Sequence, residues 1–74
     1  MTDSEKSELE KLGERLRSLR LAKDVSQEKF AEIAGLDRTY ISGLERGKRN
    51  PSFLILKKLA EILNVSPNEF FGDK

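Results

Sequence analysis

The chain has 74 residues, a net charge of +1, and neither Cys nor His. A chain this short buries only about 60% of the surface its unfolded form exposes, so one compact domain, supplemented by self-association, is expected. Disulfides, thiolate or imidazole zinc sites and His-based catalysis are excluded, and no apolar run approaches the ~20 residues that span a bilayer.

The remaining expectation from the start of the chain is a cytoplasmic protein, because Met1-Thr2-Asp3-Ser4-Glu5 is acidic and lacks the apolar core of a secretory signal. Residues 1–6 are expected to be frayed. No stretch alternates apolar and polar residues as a half-buried strand would. The pattern predicts an all-α domain of five helices over residues 7–72, with 73–74 as a tail.

The first helix is predicted from Ser7 to Ala22, with Leu9, Leu12, Leu16 and Leu19 on one stripe. Asp24 ends it in a left-handed turn. The second helix, about 26–34, has Ser26 as N-cap and Glu28 in its first turn, where the macrodipole favours an anion. Phe30, Ile33 and Ala34 are its expected buried side, and Gly35 is its stop.

Asp37 caps the third helix, about 38–46, with Ile41 and Leu44 buried and Gly47 as the stop. Ser52 opens the fourth, which runs to Leu63 with Phe53, Leu56, Leu59, Ala60 and Leu63 on its core face. Ser66-Pro67-Asn68-Glu69 has the form of a capping box with Pro at the first helical position, announcing a fifth helix. Phe70 and Phe71 follow, and Gly72 ends the fold; which Phe is core stays open.

Charge is distributed in blocks. Arg15, Arg17, Arg20 and Lys23 form one basic segment, and Arg38, Arg46, Lys48 and Arg49 form another with only Glu45 opposed. These are either ordinary solvated cations or one basic face assembled by folding. The second and third helices, joined by Gly35-Leu36-Asp37, have the spacing of a helix-turn-helix. Beside its buried residues the third helix carries Arg38, Thr39, Ser42 and Gly43. Arg suits the O6 and N7 acceptors of guanine, and a Thr methyl suits thymine. Gly43 costs about 1 kcal/mol against Ala within a helix. It marks either a close approach to a ligand or tight packing.

The runs Ser26-Gln27-Glu28-Lys29-Phe30-Ala31, Gly35 through Gly47, and Asn50-Pro51-Ser52 resemble the phage Cro and repressor type of helix-turn-helix, the Xre-like family. The resemblance covers about residues 9–71. Within that family the length and the run Asp37–Glu45 look most like restriction–modification controller proteins.

The resemblance implies a homodimeric, sequence-specific regulator on double-stranded DNA. Arg38, Thr39, Ser42 and Gly43 would meet base edges. Gln27, Tyr40, Arg46, Lys48 and Arg49 would meet the sugar-phosphate backbone, with Gln27 also bracing the recognition helix. Arg20 and Glu45 match a buried ion pair. Glu28 and Glu32 match an acidic face presented to RNA polymerase, or are simply solvated. Asp24, in place of the usual glycine, and Leu21, in place of a charged residue, depart from the pattern.

Ile55 and Ile62 share a helix face off the main core face. With Val65 and Phe71 they would form a twofold dimer interface, unless the fifth helix covers them. Two reading helices would then lie about 34 Å apart. No cofactor, metal or small-molecule ligand is expected, and no nucleophile–base pair suggests an enzyme. A phage repressor, a DNA-binding antitoxin and an adaptor that has lost DNA binding are the alternatives. The basic third-helix region argues against the last.

Overall fold

The computed structural model describes residues 2–71. The expected stop at Gly72 and the tail at 73–74 lie outside the described residues. Within them the chain forms α1 (Asp3–Ala22), α2 (Gln27–Ala34), α3 (Arg38–Glu45) and α4 (Phe53–Leu63), followed by a 3-10 helix (Pro67–Phe71). None of the four is long and apolar enough to cross a membrane.

Helix α1 begins four residues earlier than the sequence pattern predicts, so residues 3–6, expected to be frayed, are helical. The Thr2 hydroxyl accepts from the Glu5 N–H at 3.1 Å, and the Glu5 carboxylate accepts from the Thr2 N–H at 2.8 Å. This capping box satisfies two orphan donors, and Asp3 and Glu5 complement the helix dipole. The first two turns are exposed, so local bonds rather than packing hold them. Burial starts along the stripe: Leu9 and Leu12 are half-buried, and Gly13, Leu16 and Arg20 are buried.

All four α-helices stop in the same way. The chain turns left-handed at Asp24, Gly35, Gly47 and Asn64, with φ of 60°, 70°, 76° and 58°. The next residue's N–H then reaches back five positions: Val25 to Arg20, Leu36 to Ala31, Lys48 to Gly43, and Val65 to Ala60. These bonds satisfy carbonyls the helix leaves open. Asp and Asn tolerate this backbone region better than other side chains, so Asp24 serves where glycine is usual. At the opposite ends, Ser26, Asp37 and Ser52 each accept a backbone N–H within the first turn.

The core consists of Leu16, Phe30, Ala31, Ala34, Ile41, Leu44, Leu56, Leu59, Ala60, Leu63 and Phe70. Burying a Leu, Ile or Phe side chain contributes about 1.5–3 kcal/mol. Helix α3 lies between α1 and α2; α4 packs on α2; the 3-10 helix packs on α1 and α4.

Three expectations change. Ile33 is 53% exposed, and Ala31 takes the buried place beside Phe30 and Ala34. One step of 100° per residue carries position 33 to the flank of that stripe. Phe53 is 65% exposed, because it opens α4 ahead of the core contacts that begin at Leu56.

The expected fifth α-helix is a 3-10 helix of five residues. The Glu69 N–H donates to the Ser66 carbonyl three positions back, and the Ser66 hydroxyl accepts from Asn68 rather than Glu69. A segment this short gains too few α-type bonds to repay nucleation. Phe70 is the core residue and Phe71 is 64% exposed.

Candidate nucleic-acid interface

Helix α3 is eight residues long, exposed at its start and buried towards its end. Ile41 and Leu44 are buried against the core, while Asp37, Arg38 and Thr39 are exposed at its start. Tyr40 and Ser42 are half-buried, and Arg46, Lys48 and Arg49 are exposed beyond its end. Arg38 is the first helical residue, and no acid lies in the first turn. The macrodipole disfavours a cation there by about 0.3–1 kcal/mol. The helix dipole therefore does not explain an Arg at this position.

The other end of α3 is clamped. The guanidinium of Arg20 donates through Nε to Glu45 Oε2 at 2.6 Å and through Nη2 to Oε1 at 3.0 Å. Its Nη1 donates to the Val25 carbonyl at 2.7 Å. Gln27 Nε2 donates to Glu45 Oε1 at 2.9 Å. Arg20 and Glu45 are 5% and 7% exposed. One carboxylate on α3 thus receives donors from α1 and from the first residue of α2, and the α1–α2 link is tied to the same cation. Gln27 thus braces α3. Arg20, Ser26, Gln27, Glu28 and Arg38 line a shallow groove between the starts of α2 and α3.

Gly43 does not stand on a bare reading face. It is buried, and a Cβ built there would lie 3.0 Å from Cγ and 3.2 Å from Nε of Arg49. The Arg49 guanidinium carbon is also 5.7 Å from the centroid of the Tyr40 ring. Arg49 therefore folds back from the α3–α4 loop along the helix, over Gly43 and beside Tyr40. The group packed over Gly43 is thus the side chain of Arg49.

The four expected dimer residues do not form one exposed patch. Ile55, Ile62 and Val65 are half-buried against the core. Exposed Phe71 lines a groove with Leu9, Leu12, Pro51 and Leu56. Leu54 is 73% exposed. Glu28 and Glu32 are exposed on α2, but Lys29 Nζ lies 3.5 Å from Glu32 and offsets part of its charge. Leu21 is 52% exposed at the end of α1.

Two positioning residues escape the sequence reading. Gly13 brings α1 against the backbone of the end of α3: a Cβ there would overlap the carbonyl oxygen of Leu44 and lie 2.6 Å from that of Glu45. A glycine inside a leucine stripe was the available signal. Lys58 Nζ donates to the Ala34 carbonyl at 3.0 Å and so caps α2 from α4. Nothing in the local sequence of Lys58 points to that contact.

This architecture is that of a compact all-helical DNA reader, and residues 16–70 match the helix-turn-helix family model; the chain belongs to that family. It is 45% identical to the control protein C.MunI of Mycoplasma sp over 64 residues, covering 85% of this chain and 86% of that protein. The restriction–modification controller protein C.AhdI from Aeromonas hydrophila superposes with a TM-score of 0.85 at 51% identity, covering 88% of this chain and 98% of that one. The biofilm master regulator SinR, solved in complex with DNA, superposes with a TM-score of 0.78 at 34% identity, covering 82% of this chain and 98% of that one.

Proposed function

We propose that the chain is a cytoplasmic transcriptional regulator that binds a palindromic operator in double-stranded DNA as a homodimer. It would control its own gene and a neighbouring restriction endonuclease gene. DNA-binding transcription regulation is the activity of the family to which it belongs. The restriction–modification setting rests on its likeness to C.MunI and C.AhdI. The observation that carries the reading is an α3 whose exposed start bears Arg38 and Thr39 while its other end is locked to α1 and α2.

In this reading Arg38, Thr39 and Ser42 face base edges. Tyr40, Arg46, Lys48 and Arg49 meet phosphates, together with Gln27 at the N-terminal end of α2. Glu28 and Glu32 would offer a contact to RNA polymerase on the same proposal. A gel shift and footprint on DNA upstream of its own gene should show protection of two half-sites one helical turn apart.

Two substitutions separate base reading from backbone contact. Arg38→Ala should cost about 1–3 kcal/mol on the operator and relax preference at one base pair. Lys48→Ala should weaken binding to all sequences and lower the salt slope by about one. Equal losses on operator and random DNA for Arg38→Ala would make it a phosphate contact. An unchanged salt slope would remove Lys48 from the interface.

The dimer is supported by half-buried Ile55, Ile62 and Val65 together with exposed Leu54. Leu54→Glu, which charges the exposed member and spares the residues packed on the core, should yield a folded monomer with weak operator affinity, read by sedimentation and gel shift. An intact dimer in that variant rejects this interface.

A further inference from the structure

Asp37 does more than cap α3. One carboxylate oxygen, Oδ1, accepts the Thr39 N–H at 3.0 Å and also the Thr39 hydroxyl at 2.8 Å. Both residues are exposed, so neither bond is forced by packing. The backbone bond from Thr39, followed by its side-chain bond, holds the Asp37 carboxyl below its ordinary value of 3.8. At neutral pH the group is an ionised, accept-only partner, so the proton in the 2.8 Å contact belongs to Thr39.

A threonine hydroxyl has one proton and two lone pairs. With the proton turned back onto Asp37, only acceptor capacity points outward. The bond also fixes χ1 of a β-branched side chain, and with it the direction of the methyl group. In the major groove guanine offers only acceptors, and thymine offers an acceptor and a methyl. Adenine N6 and cytosine N4 carry the amino donors. Threonine can ordinarily pair with either kind of edge. Here an acceptor edge would face a lone pair backed by a carboxylate, whereas an amino group would be drawn to both.

We propose that Asp37 sets the hydrogen-bond polarity of Thr39, so that Thr39 reads an exocyclic amino group, adenine N6 or cytosine N4. Asp37 is thereby a positioning residue for base readout. This inference rests on the DNA-reading function proposed above.

The test uses a duplex selected from a random library by the wild-type protein. Each adenine is replaced in turn by 2-aminopurine, which moves the amino group out of the major groove, and each cytosine by 2-pyrimidinone, which lacks it. One position per half-site should weaken wild-type binding roughly threefold to tenfold, as loss of one hydrogen bond would. The same replacement should leave Thr39→Val unaffected.

Asp37→Asn, whose side-chain carbonyl still accepts both bonds, should keep this discrimination. Asp37→Gly retains an acceptable N-cap, so it should stay folded by circular dichroism but lose the discrimination. The inference is overturned if Asp37→Gly keeps it. It is also overturned if the only Thr39-dependent position responds to 7-deazaguanine rather than to amino deletion. If no duplex is selected at all, the DNA-reading function itself fails.

Discussion

Replacing Glu45 with Ala should leave the domain largely unfolded at 37 °C. The substitution strands Arg20, a residue only 5% exposed, without its anion. Two of its donors lose their acceptor and a third keeps only the Val25 carbonyl. Breaking a buried pair in this way costs about 3–5 kcal/mol. A domain of this size is stable by only about 4–11 kcal/mol, and each kcal/mol shifts its Tm by roughly 4–8 °C.

The expected drop in Tm is therefore on the order of 20 °C, readable in a thermal melt followed by far-UV circular dichroism. A drop of only a few degrees would show that water reaches the pair. Arg20→Met combined with Glu45→Leu should recover much of the loss, because the cost lies in the orphaned charge rather than in the absent pair. Gln27 would then lose its acceptor, so recovery should fall short of the parent.

Gly13→Ala should destabilise by about 3 kcal/mol, although Ala is ordinarily the better helix residue by about 1 kcal/mol. The new methyl would meet backbone, not a side chain that could swing away: the carbonyls of Leu44 and Glu45 close the space. Relief requires α1 to withdraw from α3, which also lengthens the Arg20–Glu45 contact. The melt should therefore be lowered in Gly13→Ala and again in Gly13→Ser. An unchanged or raised Tm in Gly13→Ala would mean that the two helices separate at little cost.

Much of the fold was legible because its punctuation is local. Ser26, Asp37 and Ser52 cap helices from within one turn, and Gly35 and Gly47 stop them at the next residue but one or nearer, so a short window contains the whole cause. The start of α1 was misjudged because terminal position was weighed above the Thr2–Glu5 box, which was equally local. Ile33 and Phe53 were drawn into stripes too wide for the faces that are actually covered.

In the site, Arg38 and Thr39 were visible from their place just after a cap. The covering of Gly43 was not, because Arg49 returns to it from the following loop. Nor was Lys58 on Ala34, a contact between residues 24 positions apart. Such contacts depend on how helices cross, which periodicity within one helix does not specify.

The division of labour along α3 has an evolutionary consequence. Ile41, Leu44 and Glu45 are buried, while Arg38 and Thr39 are exposed. Exposed positions of that kind usually change stability by no more than about 0.5 kcal/mol when substituted. On the proposed reading, in which Arg38 and Thr39 meet base edges, a lineage could change the letters read without first acquiring compensating changes in the core. Two such regulators in one cell could drift to different operators while remaining, as folded objects, nearly the same molecule.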